Sequence, residues 1–599
     1  MTSRRAETVC SLTVLGCVLL VPAFASDIYT LLVTDAAIWG LFAVSLNLLV
    51  GYTGLVTFGH AAYFGIGAYT AGILMKNAGV PFVLALPVAG MMGAVFACLF
   101  GFFCVRLSKI YFSMLTLAFA QIAWAVCFKW NELTGGDQGL SGVPYPDMRV
   151  FDGIPGLASL AQSARFHVLS MLIVAACLWA LRRIANSPFG LVLRTIRENP
   201  ERAEFVGINV RRYELVAFVI AGLFAGIAGA LFGIFNRGVF PDLMYWTKSA
   251  EVLIMALLGG TTVFYGPLAG AFTLLWLGQE ITALTEYWSF ILGAILILLI
   301  FALPGGIAGA FMRIVHRGAS RDVGEIAIGR GSSATDRSNT GMTMVPAAKA
   351  TVSALEVHGL RKAFNGFRAI DGVGFSVASG SISAIIGPNG AGKTTLFNLI
   401  TGHLAVDDGR ISFFGRDVTA TAPHDLCRLG MGRSFQRTNV FPKLSVFENV
   451  QAAFVSNRGD GWRPFIPFTG LYRDETEGIL MSVGLLDKAR SVAGSLSHGD
   501  QKQLELGITL ALEPQMLLLD EPTAGMSATE TRSSIDLIRR IARERGLTLL
   551  FTEHDMEVVF SIADRIIVLH QGKVLADASP EAIREDPEVR RIYLGQHKK

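Results

Sequence analysis

Long apolar runs fill the first half of the chain, and short apolar runs separated by polar turns fill the second. Most runs in the first half are long enough to cross the roughly 30 Å hydrocarbon layer of a membrane as helices. The pattern predicts about ten crossings: Cys10–Ala25, Tyr29–Val50, Val56–Met75, Pro81–Val105, Ile110–Phe128, Phe166–Leu181, Leu215–Phe235, two pieces of Ala250–Ile281 divided at Gly259-Gly260 and Gly266-Pro267, and Trp288–Leu303.

Charged residues orient these crossings. Arg4 and Arg5 place the N-terminus in the cytoplasm, whether the first run is a membrane helix or a signal peptide cleaved after Ala23-Phe24-Ala25. Seven arginines crowd the loop 182–212, which predicts that it is cytoplasmic as well. The loop 129–165 would then face outward, and its glycine-rich part is either a contact for an external partner or a flexible turn.

Charge also separates the two halves of the chain. Residues 1–312 hold 17 Lys and Arg and 15 Asp and Glu, whereas the whole chain holds 51 and 47. The first part is therefore predicted to be a membrane domain (1–312), followed by a flexible linker rich in Gly and Ser (313–350) and a water-soluble domain (351–599). The linker could extend about 120 Å, so the sequence leaves open which membrane domain the soluble domain docks on. A net charge of +4 predicts no nucleic-acid partner.

A phosphate-binding loop organises the soluble domain. The apolar run Ile382–Ile386 reads as a buried strand and Thr395–Ile400 as the opening of a helix. The residues between them match G-x-x-x-x-G-K-[ST], in which backbone N–H groups, a lysine and a hydroxyl with its Mg²⁺ hold nucleotide phosphates. The predicted nucleotide-binding residues here are Gly387, Pro388, Asn389, Gly390, Ala391, Gly392, Lys393, Thr394 and Thr395, with Thr394 also a predicted Mg²⁺ ligand.

Acidic residues follow a later buried strand, Met516–Leu519. Asp520 is predicted to offer a carboxylate to the Mg²⁺ shell, and Glu521 to polarise the water that attacks the γ-phosphate. The strand Thr548–Thr552 ends at Glu553-His554, where the histidine is either structural or able to reach the same phosphate. The predicted chemistry is hydrolysis of a nucleoside triphosphate with Mg²⁺.

Leu496-Ser497-His498-Gly499-Asp500-Gln501 resembles the L-S-G-G-Q signature of ATP-binding cassette (ABC) ATPases, with His498 and Asp500 departing from it. Ala524-Gly525-Met526-Ser527 likewise stands where many members have S-A-L-D. The resemblance implies that Phe364, or less favourably Phe367, stacks on adenine, and that Gln436 approaches Mg²⁺ and relays the nucleotide state. It also implies that His554 is the switch histidine, and that Ser497 and Gly499 contact the γ-phosphate held by a partner ATPase.

The membrane half is similar to the permease subunits of branched-chain amino acid ABC importers. The resemblance rests on Gly51-Tyr52-Thr53-Gly54, Phe58-Gly59-His60-Ala61, Tyr111–Ala118, Thr134–Gly142 and Leu258-Gly259-Gly260. It implies that Arg194–Pro200 is the coupling helix, which fits a groove on the ATPase near Gln436. Thr57, Gly59 and His60 lie among apolar residues, so we hypothesise that they line the substrate path, although His60 serves equally well as a structural residue.

Together these features predict a polytopic α-helical membrane domain followed by an α/β P-loop ABC ATPase domain, located in the bacterial inner membrane with the ATPase cytoplasmic. The resemblance implies ATP-driven import of branched-chain or related amino acids. It also implies a second permease, a second ATPase and an external solute-binding protein. Urea, amides or small carboxylates are alternative substrates. An ABC exporter is a further alternative, although its usual six long helices fit the pattern less well.

Overall fold

The computed structural model describes residues 21–24, 26–107, 109–147, 161–319 and 353–594, together with Gly16 and Leu19. Arg4, Arg5, most of the predicted crossing Cys10–Ala25 and residues 320–350 of the predicted linker lie outside the described residues. The chain forms two compact units. One comprises Met1–Arg197, Arg211–Ile328 and Pro464–Ile466, and the other comprises Glu198–Val210, Gly329–Arg463 and Pro467–Lys599. Glu198–Val210 therefore belongs to the second unit, although its sequence neighbours belong to the first.

Helices dominate the described residues up to Ala319. They are α1 (Val21–Phe24), α2 (Asp27–Asn47), α3 (His60–Lys76), α4 (Phe82–Cys104), α5 (Lys109–Lys129), α6 (Asn131–Thr134), α7 (Gln162–Ala185), α8 (Pro188–Glu198), α9 (Pro200–Phe205), α10 (Val210–Phe235), α11 (Trp246–Gly259), α12 (Gly266–Leu284), α13 (Trp288–Ala302) and α14 (Gly306–Ala319). A π-helical turn, Leu48–Thr53, extends α2, and β1 (Leu140–Ser141) pairs antiparallel with β2 (Gly238–Val239). The predicted break in Ala250–Ile281 is confirmed, since α11 ends at Gly259 and α12 begins at Gly266.

Five helical spans among the described residues are long and apolar enough to cross a membrane: Asp27–Thr53, Phe82–Cys104, Ile110–Lys129, Gln162–Ala185 and Val210–Phe235. The bent pair Phe290–Ala302 and Gly306–Arg313 makes a sixth if it counts as one span. The predicted count of about ten is thus not confirmed. Four of the predicted crossings correspond to helices shorter than any of these five spans: α3 with 17 residues, α11 with 14, α12 with 19 and α13 with 15.

Glycines allow close contact between the helices of the first unit. A Cβ atom on Gly67 of α3 would lie 2.1 Å from the carbonyl oxygen of Gly226 in α10, and one on Gly229 would lie 1.8 Å from that of Phe64. On α4, a Cβ atom at Gly93 would lie 2.4 Å from the carbonyl oxygen of Gly222. Helices that meet at small residues bring their backbones together and gain van der Waals contact where apolar burial offers no advantage.

The residues hypothesised to line a substrate path are buried in this packing. His60 is fully buried, its Nε2 lies 3.0 Å from Ser45 Oγ, and its ring stacks on Phe42 with centroids 5.2 Å apart. A Cβ atom on Gly59 would lie 2.2 Å from the carbonyl oxygen of Thr116, and Thr57 Oγ1 accepts a hydrogen bond from the Gly59 N–H. These contacts hold His60 in place, while its buried Nδ1 has no hydrogen-bond partner among the described residues.

Two predicted irregular segments contain regular structure. Residues 313–319, predicted to begin the linker, are the last turns of α14, because the apolar pattern of this helix continues through Ile314 and Val315. The glycine-rich part of the predicted outward loop contains α6, a 3₁₀ turn and β1. Its glycines Gly135, Gly136, Gly139 and Gly142 all have left-handed φ angles, which glycine adopts without steric cost.

The second unit is an α/β domain with two sheets. Its strands are β3 (Ser353–Phe364), β4 (Phe367–Ala378), β5 (Ile382–Ile386), β6 (Asp408–Phe413), β7 (Arg416–Asp417), β8 (Met431–Arg433), β9 (Met516–Asp520), β10 (Thr548–Thr552), β11 (Arg565–His570) and β12 (Lys573–Ala578). Its helices after α14 are α15 (Lys393–Ile400), α16 (Pro423–Arg428), α17 (Val446–Asn457), α18 (Arg473–Ser482), α19 (His498–Leu510), α20 (Ala528–Glu544), α21 (Met556–Ile562), α22 (Pro580–Glu585) and α23 (Pro587–Val589).

The larger sheet positions the predicted chemistry. Its strand order is β12-β11-β5-β10-β9-β8, and every neighbouring pair is parallel except β11 with β12. Every residue of β5, β9 and β10 is buried, as expected for strands covered on both faces, and the predicted strands at these positions are confirmed. Because parallel strands end at the same edge, the loops after β5, β8, β9 and β10 lie side by side, where α/β sheets bind their ligands.

Candidate active site

The loop from β5 to α15 forms a cradle at this edge of the sheet. Gly390 and Gly392 have φ angles of 82° and 102°, and a Cβ atom on Gly392 would lie 2.8 Å from the carbonyl oxygen of Ala369, so glycine is required there. Thr394, in the first turn of α15, is exposed to solvent. The N–H groups at the start of α15 and the neighbouring loop make this cradle suited to a phosphate.

Lys393 lies at the base of the cradle. Its Nζ donates hydrogen bonds to the carbonyl oxygens of Gly387 at 2.7 Å and Pro388 at 3.3 Å. Burial lowers the pKa of Lys393, while the nearby Glu521 and Asp520 raise it. The carbonyl oxygens hold the ammonium of Lys393 in place. Its positive charge can then bind the negative charge of a triphosphate in the cradle.

The three predicted catalytic side chains meet at Glu521. Gln436 Nε2 donates to Glu521 Oε2 at 2.8 Å, and His554 Nε2 lies 2.7 Å from Glu521 Oε1. Glu521 itself has a left-handed φ of 47°, an uncommon conformation for a non-glycine residue that often marks a functional site. Each of these residues follows a different strand, so the strand order brings them together.

Asp520 lies one residue earlier, at the end of β9, and only 3% of its surface is exposed. Thr552 Oγ1 donates a 2.7 Å hydrogen bond to Asp520 Oδ1. Burial raises the pKa of Asp520 above its usual value, against the opposing effects of Thr552 and Arg433. A carboxylate that is scarcely hydrated is well suited to a hard cation such as Mg²⁺, which prefers oxygen ligands.

Sequence reasoning missed several residues that hold the site in place. The hydroxyl and carbonyl oxygens of Thr552 both accept from the Glu521 N–H at 3.1 Å. Glu553 is buried and accepts from the Thr523 N–H and hydroxyl at 2.9 and 2.6 Å. Lys502 Nζ donates to the carbonyl oxygens of Phe435 and Gln436 at 2.6 and 2.9 Å. The position of Thr552 and Glu553 at the end of a buried strand is the one feature of the sequence that could have indicated their role. No feature of the sequence indicated the role of Lys502.

The predicted signature residues lie at the start of α19. Ser497 caps this helix, and its hydroxyl donates to Asp500 Oδ2 at 2.8 Å, which also accepts from Lys488 Nζ at 2.6 Å. Burial raises the pKa of Asp500, but the hydrogen bonds from Lys488 and Ser497 outweigh it and leave the pKa below its usual value. Within residues 353–594, no hydrogen bond joins Ser497 or Gly499 to the cradle, so the structure does not bring the two motifs together.

Phe364 and Phe367 flank a tight hairpin turn between β3 and β4. Asn365 and Gly366 both have left-handed φ angles, of 47° and 88°, as in the two-residue turns that join antiparallel strands. Phe364 is 43% exposed and Phe367 is 70% exposed. Both rings are therefore accessible to a ligand.

The segment around the predicted coupling helix contains two short helices. α8 ends at Glu198 and α9 begins at Pro200, with Asn199 capping α9 by accepting from the Arg202 N–H at 3.0 Å. Within the second unit, the Phe205 ring meets the Phe435 ring edge-on at 4.8 Å. The residues that follow the predicted coupling run therefore lie beside the residue that precedes Gln436.

Three family models match the chain. Residues 28–300 match the model described as "Branched-chain amino acid transport system / permease component". Residues 370–524 match "ABC transporter", and residues 573–599 match "Branched-chain amino acid ATP-binding cassette transporter". The permease match and the ATPase match do not overlap along the sequence.

Relatives of known name match the ATPase part of the chain. The high-affinity branched-chain amino acid transport ATP-binding protein BraF of Pseudomonas aeruginosa is 37% identical over 249 residues, which are 40% of this chain and 98% of BraF. LivG of Escherichia coli, of the same description, is 35% identical with the same coverage. The lipopolysaccharide export system ATP-binding protein LptB of Acidithiobacillus ferridurans is 36% identical over 242 residues, 40% of this chain and 96% of LptB.

Proposed function

Because the chain belongs to the family of branched-chain amino acid ABC transporters, with the permease and the ABC ATPase in one polypeptide, we propose that it imports branched-chain or related amino acids at the expense of ATP. The observation that carries the proposal is the meeting of Gln436 and His554 at Glu521, one residue from Asp520 and at the same sheet edge as the phosphate cradle. This is an ATPase site, and the same chain carries the permease.

Each residue of the cluster has a proposed role. Glu521 accepts the proton of the water that attacks the γ-phosphate, and its hydrogen bonds fix the direction of the carboxylate. His554 orients Glu521 and contacts the γ-phosphate. Gln436 senses whether a nucleotide is bound. Lys393 and the backbone N–H groups of residues 387–395, except that Pro388 has none, hold the phosphates, and Phe364 stacks on the adenine.

Mg²⁺ would be held by the Thr394 hydroxyl, Asp520 and Gln436. The site fits the ion, since Asp520 supplies a buried carboxylate and Thr394 an exposed hydroxyl at the same sheet edge, and oxygen is the ligand that Mg²⁺ prefers. When bound, the ion would neutralise charge on the phosphate oxygens. The protein's own part is to orient the phosphates and to position the proton acceptor.

The proposal includes partners and a membrane location. Within residues 353–594, no hydrogen bond joins Ser497 or Gly499 to their own cradle, which fits a role at the nucleotide of a second ATPase. A second permease and an external solute-binding protein would complete the transporter, in the bacterial inner membrane with the ATPase in the cytoplasm. We keep ten crossings, counting α2, α3, α4, α5, α7, α10, α11, α12, α13 and the N-terminal apolar run. An even number leaves both the N-terminus and the ATPase inside.

Uptake into right-side-out membrane vesicles tests direction and substrate together. Vesicles from cells that express the transporter with its solute-binding protein are supplied with radiolabelled leucine, and uptake is compared with vesicles that contain Glu521→Gln. We expect uptake that requires both ATP and Glu521. Efflux instead of uptake would support an exporter, which the likeness to LptB makes a necessary comparison. ATP-dependent uptake of urea, amides or small carboxylates in place of leucine would support the importer and contradict the proposed substrate.

A further inference from the structure

Arg202 in α9 is the largest fully buried side chain among the described residues, with 0% of its surface exposed. Its guanidinium donates to the carbonyl oxygen of Arg433 at 2.9 Å, to that of Glu505 at 3.3 Å and to Thr509 Oγ1 at 3.1 Å. Arg433 ends β8, and the other two partners lie on α19. One planar side chain therefore connects the segment 198–210 to the sheet and to the helix that begins after Ser497.

Arg433 extends this connection to the phosphate cradle. Its guanidinium donates to Thr401 Oγ1 at 2.5 Å and to Asn398 Oδ1 at 2.6 Å, at the end of α15. The same group lies over the rings of Phe205 and Phe435, 5.3 and 4.8 Å from their centroids. The helix that follows the cradle is thus linked through one residue to both α9 and the loop that carries Gln436.

The second partner of Arg202, Glu505, is tied to the same loop. Glu505 Oε1 accepts from the Phe435 N–H at 2.8 Å, and Lys502 Nζ lies 3.6 Å from Glu505 Oε2. A cavity of about 30 Å³ lined in part by Ser434, Lys502 and Glu505 adjoins these groups. This is room enough for one water molecule beside the loop.

We propose that Arg202 is a positioning residue that makes the segment 198–210 move together with α19 and with the loop carrying Gln436 when ATP binds. The inference rests on the proposed function, because it presupposes that ATP binds at the cradle. The hydrogen-bond partners of Arg202 are neutral carbonyl and hydroxyl oxygens on two separate elements. Reaching both elements requires the planar guanidinium with its several N–H donors, and the positive charge alone is not enough. Lysine would supply the charge but would not span both elements.

Hydrogen–deuterium exchange of the purified full-length chain in lipid nanodiscs tests the inference with Mg²⁺ and ATP as the only ligands. Glu521→Gln is the background in every sample, so that bound ATP persists. With Arg202 intact, we expect ATP to change the exchange of amides in residues 199–207. Arg202→Ala and Arg202→Lys are expected to reduce that change at least about fivefold, the lower end of typical coupling between sites. Both variants should bind ATP within about twofold of the Arg202 protein. Arg211→Ala, which removes an exposed arginine near the same segment, should preserve the full response.

The other possible results of this experiment contradict either the inference about Arg202 or the proposed function. A full response in Arg202→Lys would overturn the inference, since charge alone would then suffice. Loss of ATP binding in both Arg202 variants would also overturn it, because Arg202 would then serve only to keep the domain folded. A chain with Arg202 intact that binds ATP without any change in residues 199–207 would do the same. A chain with Arg202 intact that binds no ATP, whether residue 521 is Glu or Gln, would refute the proposed function instead.

Discussion

Glu521→Gln removes the proposed proton acceptor and leaves its surroundings intact. The new side chain can keep its oxygen toward the Gln436 amide and turn its own amide toward His554 Nε2. That nitrogen donates to the Glu521 carboxylate and accepts from the new amide once the neutral ring carries its proton on Nδ1. Both bonds survive, so the free energy of unfolding should change by less than about 1 kcal/mol. The carboxylate that accepts the proton is lost, however.

Loss of a general base lowers a rate by about 10²- to 10⁴-fold, which corresponds to about 2.7–5.4 kcal/mol in the activation free energy at 1.36 kcal/mol per tenfold. We expect phosphate release by the assembled transporter to fall by this factor, while the affinity for a fluorescent ATP analogue changes less than threefold. Glu544→Gln, at the exposed end of α20, is the matched control and should keep the full rate.

Turnover within about fivefold of the wild type in Glu521→Gln would refute the assignment, because a water positioned by phosphate and metal alone would then suffice. If Glu521→Gln lost both nucleotide binding and hydrolysis, the assignment of Glu521 as proton acceptor would also be refuted. This result would show that Glu521 maintains the cradle and that its hydrogen bonds cannot be kept by an amide.

Three further substitutions test other parts of the domain. Thr552→Val removes the hydroxyl that bonds the Asp520 carboxylate; the pKa of Asp520, already raised by burial, should rise further, and because Mg²⁺ needs the ionised form, the acid limb of the pH–hydrolysis profile should move to higher pH. Phe364→Ala should weaken ATP binding by about 1–3 kcal/mol if its ring stacks on adenine, whereas Phe367→Ala should not, and equal effects in equilibrium titrations would reject the choice. Thr476→Val removes a fully buried hydroxyl without a partner among the described residues, and it should raise the midpoint of thermal unfolding by an amount equivalent to about 1 kcal/mol; a lower midpoint would contradict this.

The strands that frame the site could be predicted because each is a short apolar run that ends at a glycine or an acidic residue. β5 and β10 have the predicted bounds, and β9 extends the predicted Met516–Leu519 by Asp520 alone. The meeting of Gln436, Glu521 and His554 follows from the strand order, which no single segment encodes. Resemblance to a family supplied the roles of Gln436 and His554 in advance, but not that order.

Arg202 shows what local sequence could not reveal. In the sequence it is one of seven arginines in a loop predicted to be cytoplasmic, and a charged loop residue is normally solvated. Its burial depends on acceptors 231, 303 and 307 residues away. Lys502 and Glu505 share this property, since each is a charged residue on a helix whose burial is set by a distant loop.

There is a physical reason why the predicted number of membrane crossings is not confirmed. Ranges such as Val56–Met75 were bounded by hydropathy, but the helix itself begins only at His60, after a turn in which Gly59 packs against Thr116. Hydropathy measures the length of apolar sequence, whereas a span requires that length to be helical. Glycine-rich packing motifs are apolar and still interrupt helices.

The distance along the chain between Arg202 and its acceptors has a consequence for biosynthesis. At about 5–20 residues per second, the ribosome needs about 15–60 s after making Arg202 to reach Thr509, 307 residues later. Before Arg433 is made the guanidinium has none of its three acceptors, and until Thr509 is made it cannot have all of them. The ATPase core must therefore close around a peptide that is already present, so a chain interrupted before residue 505 would leave Arg202 exposed to quality-control proteases.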